Sequence, residues 1–316
     1  MRAMIVAAGL GTRLRPLSEL RPKPALPVRG LPQIAYTLAL LRHHGVSEVV
    51  VNTHHLPEQL ERAAREHCPR GLSVHFSRET TLLDTGGGIR RVAAFLRESD
   101  PCLIVGGDML LDADLGGLVV RHRERGDAIT FLLREDPRAA VFGSVGVDAR
   151  GAVRRIGSRF DFGGAQRAGI YTWVNVVSAR AFDGLPEREV FSHFEGWIAP
   201  RIAAGARDVV GDFAPCIWEP VGTHPEYLRA NFEPPRLSYL DADRLARDLG
   251  VRLEPDRVIG AGATIGPGAS LNRVVVWDGE HVPAGTRACA GTFAGGRFHP
   301  AEPEDAPTGG SESTPS

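Results

Sequence analysis

The sequence predicts an α/β protein in two parts: a mostly parallel sheet covered by helices on both faces, then a short left-handed β-helix. Two patterns carry this. Over the first third of the chain, short apolar runs alternate with segments of helical spacing, the order that builds parallel strands joined by helices. From Leu253 onward large residues recur about every six positions, at Leu253, Ile259, Ile265, Leu271, Trp277 and Pro283, with small residues between, as in Ile259-Gly-Ala-Gly-Ala-Thr-Ile265. A chain of 316 residues, 43% hydrophobic and 24% charged, buries a substantial core and divides into one large domain and a smaller one.

In order, Ala3 to Ala8 reads as a buried strand, Pro32 to His44 as a helix and Glu48 to Asn52 as a strand. Pro57 to His67 follows as a helix, Leu72 to Phe76 as a strand, Gly87 to Leu96 as a helix opened by a turn with Thr85 as cap, and Cys102 to Gly106 as a strand. Gly143 to Val147, the turn Asp148 to Gly151 and Val153 to Ile156 form a hairpin; Ile170 to Val177 is a further strand and Pro225 to Phe232 a helix. The divisions are 1–232 for the large domain, 233–250 for a linker opened by Pro234-Pro235, 251–299 for the β-helix and 300–316 for a disordered tail of Pro, Glu, Gly, Ser and Thr. The β-helix lies outside the large domain's site, so its expected role is assembly, as a homo-oligomer paired through exposed coil edges.

Several functions are set aside. A net charge of −1 gives no basic field for nucleic acid. No run approaches the roughly 20 apolar residues of a membrane helix. Cys68, Cys102, Cys216 and Cys289 are scattered, which fits free thiols in a reducing cytoplasm. The pairs His43-His44 and His54-His55 lack a cysteine or carboxylate at metal spacing. No Gly-x-Ser-x-Gly elbow is present.

The chemistry concentrates in Ala3 to Val28. After the first strand, Gly9 and Gly11 free the backbone to turn tightly, and such turns gather amide N–H groups around an anion. Thr12, Arg13, Arg15 and Lys23 add a hydroxyl and positive charge, which makes the stretch a cradle for a polyphosphate. Leu14 stands where a dinucleotide fingerprint needs its third glycine, and no Gly-Lys-Ser/Thr follows as a P-loop requires. Of 37 Lys plus Arg, Lys23 is the only lysine, which points to a role for a compact ammonium that the guanidinium fork cannot fill. Asp108 follows Cys102-Leu-Ile-Val-Gly-Gly107, so its carboxylate emerges at a strand end beside the glycine loop, where Mg²⁺ would be held by one or two carboxylates, phosphate oxygens and water.

Gly9-x-Gly11-Thr12-Arg13, Arg15-Pro16 and Arg21-Pro22-Lys23-Pro24 together resemble the signature of the sugar-1-phosphate nucleotidyltransferases. The resemblance implies a Rossmann-like, GT-A-like nucleotidyltransferase domain that joins a nucleoside triphosphate to a sugar 1-phosphate, releasing pyrophosphate, with Mg²⁺ as cofactor. It implies that Ala8, Gly9, Gly11 and Thr12 wrap the triphosphate, that Arg13 neutralises the departing pyrophosphate and that Lys23 touches the reacting phosphates. Leu82-Leu83-Asp84-Thr85-Gly86-Gly87-Gly88 is similar to the family's Leu-Gly-Thr-Ala-Gly stretch, so Gly86 and Gly87 would let the nucleobase approach the backbone, with Glu79 and Arg78 within reach of its edge. Gly106-Gly107-Asp108 is similar to the family's Asn-Gly-Asp metal motif.

On the sugar side the match departs. Ser158, Arg159 and Phe160 stand where the family has Glu-Lys-Pro, leaving Arg159 to grip a phosphate. Trp173 falls on a sugar-facing glycine if the strand is read without a gap, whereas Gly169 keeps that glycine if the following residues are an insertion. In Trp218-Glu219-Pro220-Val221-Gly222-Thr223, Pro220 replaces a second metal aspartate, and strand alternation turns Glu219 the other way. Two alternatives follow: a non-catalytic nucleotide- or NDP-sugar-binding regulatory homologue, or an enzyme using a different phosphorylated alcohol.

Overall fold

The computed structural model describes residues 1–301; the remainder of the expected tail lies outside the described residues. Four parallel strands form the frame: β1 (Arg2–Val6), β2 (Glu48–Thr53), β3 (Ser73–Arg78) and β4 (Cys102–Gly106), in the order β3-β2-β1-β4. The first strand is apolar on both sides because both sides are covered. Ala3 and Ile5 enter one core with helices α1 (Gln33–His43) and α2 (Pro57–Glu66), while Met4 enters the other with α3 (Asp84–Arg97). Strand order reverses between β1 and β4, so the loops after these two strands flank the crevice where ligands of open α/β sheets sit.

Two further strands, Ile129–Arg134 and the eleven-residue Arg167–Val177, extend the sheet; the second runs antiparallel to β4 through Val174–Val177. The expected hairpin is Val145–Val147 against Val153–Ile156, with Asp148 Oδ1 accepting from the Arg150 and Ala152 amides in the turn. The helix expected from Gly87 begins earlier, at Asp84, and Thr85 is not its cap: the Thr85 amide donates to Asp84 Oδ1. The segment expected as a linker is structured too. It contains a helix, Ala242–Asp248, tied back by Arg29 to Asp243.

The C-terminal strands Arg257–Ile259, Ser270–Val276 and Arg287–Ala294 pair in parallel, with Arg257 opposite Val274 and Ser270 opposite Arg287. Thr264–Ile265 and His281–Val282 pair the same way on another face of the coil. Ile259, Leu271, Val274, Val276, Val282, Ala288 and Phe293 fill the coil, whereas Pro283, a member of the six-residue recurrence, is exposed beside Val282. Trp277 points out of the coil, not into it.

That outward face corrects the expectation that the coil stands apart from the site. Val258, Val275, Trp277 and Ala294 share one core with Leu14, Leu17, Leu26, Val28, Tyr36 and Tyr227. In the run Val274-Val275-Val276, alternation sends the outer two residues into the coil and the middle one against the large domain. Each such side chain, fully buried, contributes about 1.5–3 kcal/mol. Removal of everything after Pro234 is therefore expected to lower Tm by roughly 10 °C or more, or to leave the protein insoluble. A soluble truncated protein with wild-type Tm in a melting experiment would show that the shared core is dispensable.

Candidate active site

The loop after β1 carries most of the cradle. Gly11 has φ +63°, a left-handed conformation that glycine adopts without strain, and a methyl group there would lie 3.1 Å from Lys23 Cβ and 3.2 Å from Ser18 Cβ. Gly9 has a different reason to be glycine, since a methyl group on it would meet no protein atom within 4 Å. Its bare face is open space. Among the described residues, nothing accepts a hydrogen bond from the amides of Gly9, Leu10 and Gly11, which leaves three donors free for an anion. Thr12 and Arg13 follow in a short 3₁₀ turn, Thr12–Leu14, whose Leu14 is buried and anchors the loop.

These two glycines separate in a test. A Gly9→Ala change is expected to keep wild-type Tm and weaken triphosphate binding. Gly11→Ala is expected to cost about 1–3 kcal/mol of stability from strain at positive φ. Equal melting losses for the two variants, measured by calorimetry, would contradict the geometry.

Lys23 lies in a 3₁₀ turn between Pro22 and Pro24, with its carbonyl accepting from Gln33 Nε2 at 3.1 Å. Its ammonium donates to Asp108 Oδ2 at 2.6 Å. The lysine side chain is only 12% exposed and the aspartate 42%, so the cation is set in the wall and the carboxylate faces the opening. Asp108 follows β4 directly, which places the two groups on the loops that flank the crevice between β1 and β4.

The turn after strand Ile217–Pro220 closes the other side. The Val221 amide donates to the Asp108 carbonyl at 3.3 Å, and Gly222 lies so close under Arg13 that a methyl group there would be 3.2 Å from Nη2. Glu226 accepts from the amides of Gly222 and Thr223, a capping box that fixes this turn at the head of helix His224–Phe232. Arg13 and Lys23, from one local motif, thus stand on one rim with the distant Asp108. Pro220 pairs with Met109 beside Asp108 and its ring carries no ligand atom, while Glu219 is bound by Arg138 at 3.1 Å, itself held by Asp136. Hydrogen bonds from the Arg138 side chain and amide, with the charges of Arg138 and Arg134 nearby, hold the Asp136 carboxyl down to about 2. The alternation expected of Glu219 is what the strand gives.

Other expected contacts look different in three dimensions. Arg78 is committed to Glu61 and Glu58. The buried Glu79 accepts from Asn52 Nδ2 at 2.8 Å and from the Leu83 amide at 3.0 Å, and Asn52 Oδ1 accepts from the Ala7 amide at 2.7 Å. Glu79 therefore ties the start of α3 to the cradle through Asn52. Sequence reading missed Asn52, although a polar residue ending the apolar run Val49-Val50-Val51 was a usable signal. The space beside Gly86 and Gly87 is filled by the chain itself: a methyl group would lie 2.4 Å from the Phe191 ring at the first and 2.0 Å from the Glu189 carbonyl at the second. Those glycines admit the Glu189–Phe191 backbone.

Trp173 sits in a bulge of the long strand, where pairing to Ile129–Arg134 shifts between Tyr171 and Asn175, and its φ is +60°. A left-handed backbone is one that glycine adopts more readily than tryptophan, which accords with the ungapped register. Gly169 is ordinary strand, packed against Phe213 and the Arg134 carbonyl. The Trp173 Cβ backs onto Gly106, two residues before Asp108, and its ring lies 5.4 Å from His193. His193 is buried with both ring nitrogens unpartnered among the described residues, and burial pushes its pKa down to about 3, so it stays neutral. Arg159, on an exposed turn, pairs with Glu195 at 3.0 Å, two residues from His193.

Residues 2–234 match the nucleotidyl transferase family. The chain belongs to that family. A mannose-1-phosphate guanylyltransferase of Mycobacterium tuberculosis is 32% identical over 303 residues, covering 90% of this chain and 81% of the relative. An N-acetylmuramate alpha-1-phosphate uridylyltransferase of Neisseria meningitidis is 41% identical over 115 residues, covering 36% of this chain and 49% of that protein. Among solved structures, HddC from Yersinia pseudotuberculosis superimposes with TM-score 0.62 at 20% identity over 73% of this chain and 98% of its own. That likeness establishes the α/β nucleotidyltransferase fold with its mostly parallel sheet. Among the described residues no three His, Cys, Asp or Glu side chains gather as a metal cluster, and no helix is long and apolar enough to cross a membrane.

Proposed function

We propose that this nucleotidyltransferase couples a nucleoside triphosphate to a sugar 1-phosphate, giving an NDP-sugar and pyrophosphate. One observation carries the reading: the chain's sole lysine meets Asp108 at 2.6 Å where the loops after β1 and β4 face each other, beside three unpartnered amides. The triphosphate lies along the Ala8–Thr12 loop with its departing end at Arg13. An oxygen of the sugar phosphate attacks the α-phosphorus; a new P–O bond forms as the bond to pyrophosphate breaks. Lys23 balances the negative charge that builds at the α-phosphate and Arg13 that on the leaving group. Chemistry of this kind rests on positioning and charge neutralisation, so no general base is required.

Asp108 fits a magnesium site of the sparse kind. It offers a half-open carboxylate whose Oδ2 is held by Lys23, and neither Pro220 nor the Arg138-bound Glu219 supplies a second one. Magnesium takes few protein ligands and shares phosphate oxygens and water, so Asp108 would hold it together with the triphosphate, where it would neutralise phosphate charge.

The sugar side favours a second reading of the acceptor. In the ungapped register Trp173 brings an indole to a position that the family gives to glycine, which supports an acceptor smaller than, or differently shaped from, the relatives' sugars. The parallel coil supports a left-handed β-helix with edges for homo-oligomer contacts, and four free thiols accord with the cytoplasm. A pyrophosphate-release screen of nucleoside triphosphates against phosphorylated sugars and alcohols, with Mg²⁺, tests the proposal. Release with at least one pair supports it. Binding of a nucleotide or NDP-sugar without release from any pair would replace the enzyme by a regulatory protein.

A further inference from the structure

The Lys23 segment is gripped from the coil. Arg21, two residues upstream, forms a two-pronged ion pair with Asp278 at 2.6 and 2.9 Å, and its guanidinium lies 4.7 Å from the centre of the Trp277 ring. Trp277 Nε1 donates to the Tyr227 hydroxyl at 3.0 Å, which donates to the Pro27 carbonyl at 2.7 Å, four residues downstream of Lys23. Leu20 packs on Gly295, again from the coil. The stretch from Leu20 to Pro27 is thus tied to the coil directly at Leu20 and Arg21, and through Tyr227 at Pro27. Between them, Pro22 and Pro24 fix φ on either side of Lys23, so a fixed Arg21 gives the lysine little freedom to swing.

We propose that Asp278, with Trp277, positions Lys23 through Arg21, making the coil part of the catalytic apparatus. The proposal rests on the reading of Lys23 as the group that touches the reacting phosphates. Asp278 touches neither substrate nor reacting atoms; it sets the angle at which the segment presents the ammonium to Asp108. A bidentate guanidinium–carboxylate pair stacked on an indole suits this task, because it fixes direction as well as distance.

The lone lysine supplies the test. Full-length protein grown with ¹³C-labelled lysine gives NMR signals from Lys23 alone, and the ε-carbon signal reports its environment without any reaction. In Asp278→Asn and Arg21→Met, the second of which keeps an apolar chain over Trp277, that signal is expected to move toward the free-lysine position and Asp278→Glu is expected to restore it. Arg273→Gln, which removes the exposed pair with Glu233 elsewhere in the C-terminal region, is expected to leave it in place. With an active substrate pair, Asp278→Asn should lower kcat about tenfold while changing KM for the triphosphate little. An unmoved Lys23 signal in a folded Asp278→Asn or Arg21→Met protein would overturn the proposal whatever the activity. Lack of turnover by the wild type would count against the enzymatic reading alone, since the NMR arm needs no turnover.

Discussion

Replacing Lys23 by arginine is expected to lower turnover roughly a hundred- to a thousandfold, although charge is conserved. The pocket explains the size of the effect. Lys23 has its ammonium 2.6 Å from Asp108 Oδ2 and its Cβ close against Gly11. A guanidinium is planar and wide and prefers to engage a carboxylate with two nitrogens, so in this slot it would cap Asp108 instead of sharing it with phosphate. The loss falls on the transition state, where charge at the α-phosphate is greatest. It should appear mainly in kcat, with a smaller change in KM for the triphosphate. Steady-state pyrophosphate release decides the matter, and near-normal turnover in the arginine variant would mean that any cation serves.

Asp108→Asn should abolish metal-dependent activity, a loss of roughly a thousandfold or more, with little change in Tm. The aspartate is too exposed for its ion pair to add more than about 1 kcal/mol of stability. The amide keeps the shape but loses the charge, so the one carboxylate suited to magnesium disappears and Lys23 loses its partner. Glu219→Gln is the comparison. Its carboxylate is held by Arg138, on the side to which alternation turns it, so activity should fall less than tenfold. The experiment is a magnesium titration of pyrophosphate release for both variants. Equal damage from the two would show that Glu219 reaches the metal during turnover and that Pro220 does not reduce the site to a single carboxylate.

Legibility of the site followed chain distance. Gly9 to Lys23 is one local motif, and its glycines, prolines and lone lysine could be read directly; Asp108 was recoverable because a buried strand ends just before it. Trp173 was visible as a departure while its register stayed open, since only φ distinguishes a bulge that needs a glycine-like backbone from ordinary strand. For Gly86 and Gly87 the sequence alone leaves open whether the missing side chain makes room for a ligand or for another piece of chain, because small residues look alike in both cases. Here Phe191 and Glu189 fill that space, more than a hundred positions away in sequence.

By itself, the sequence determined the alternation of strands and helices, the cradle and the six-residue recurrence of the coil, because each depends on neighbours in the chain or on a short period. The tertiary structure decided what those pieces face. It turned Trp277 out of the coil and under Arg21, merged the coil's outer surface with the core beneath the cradle, and set Lys23 on Asp108 across the crevice between β1 and β4. Periodicity records that a side chain is buried but not against which partner. Partners are chosen by packing between elements distant in sequence, and that information exists only once the chain has folded.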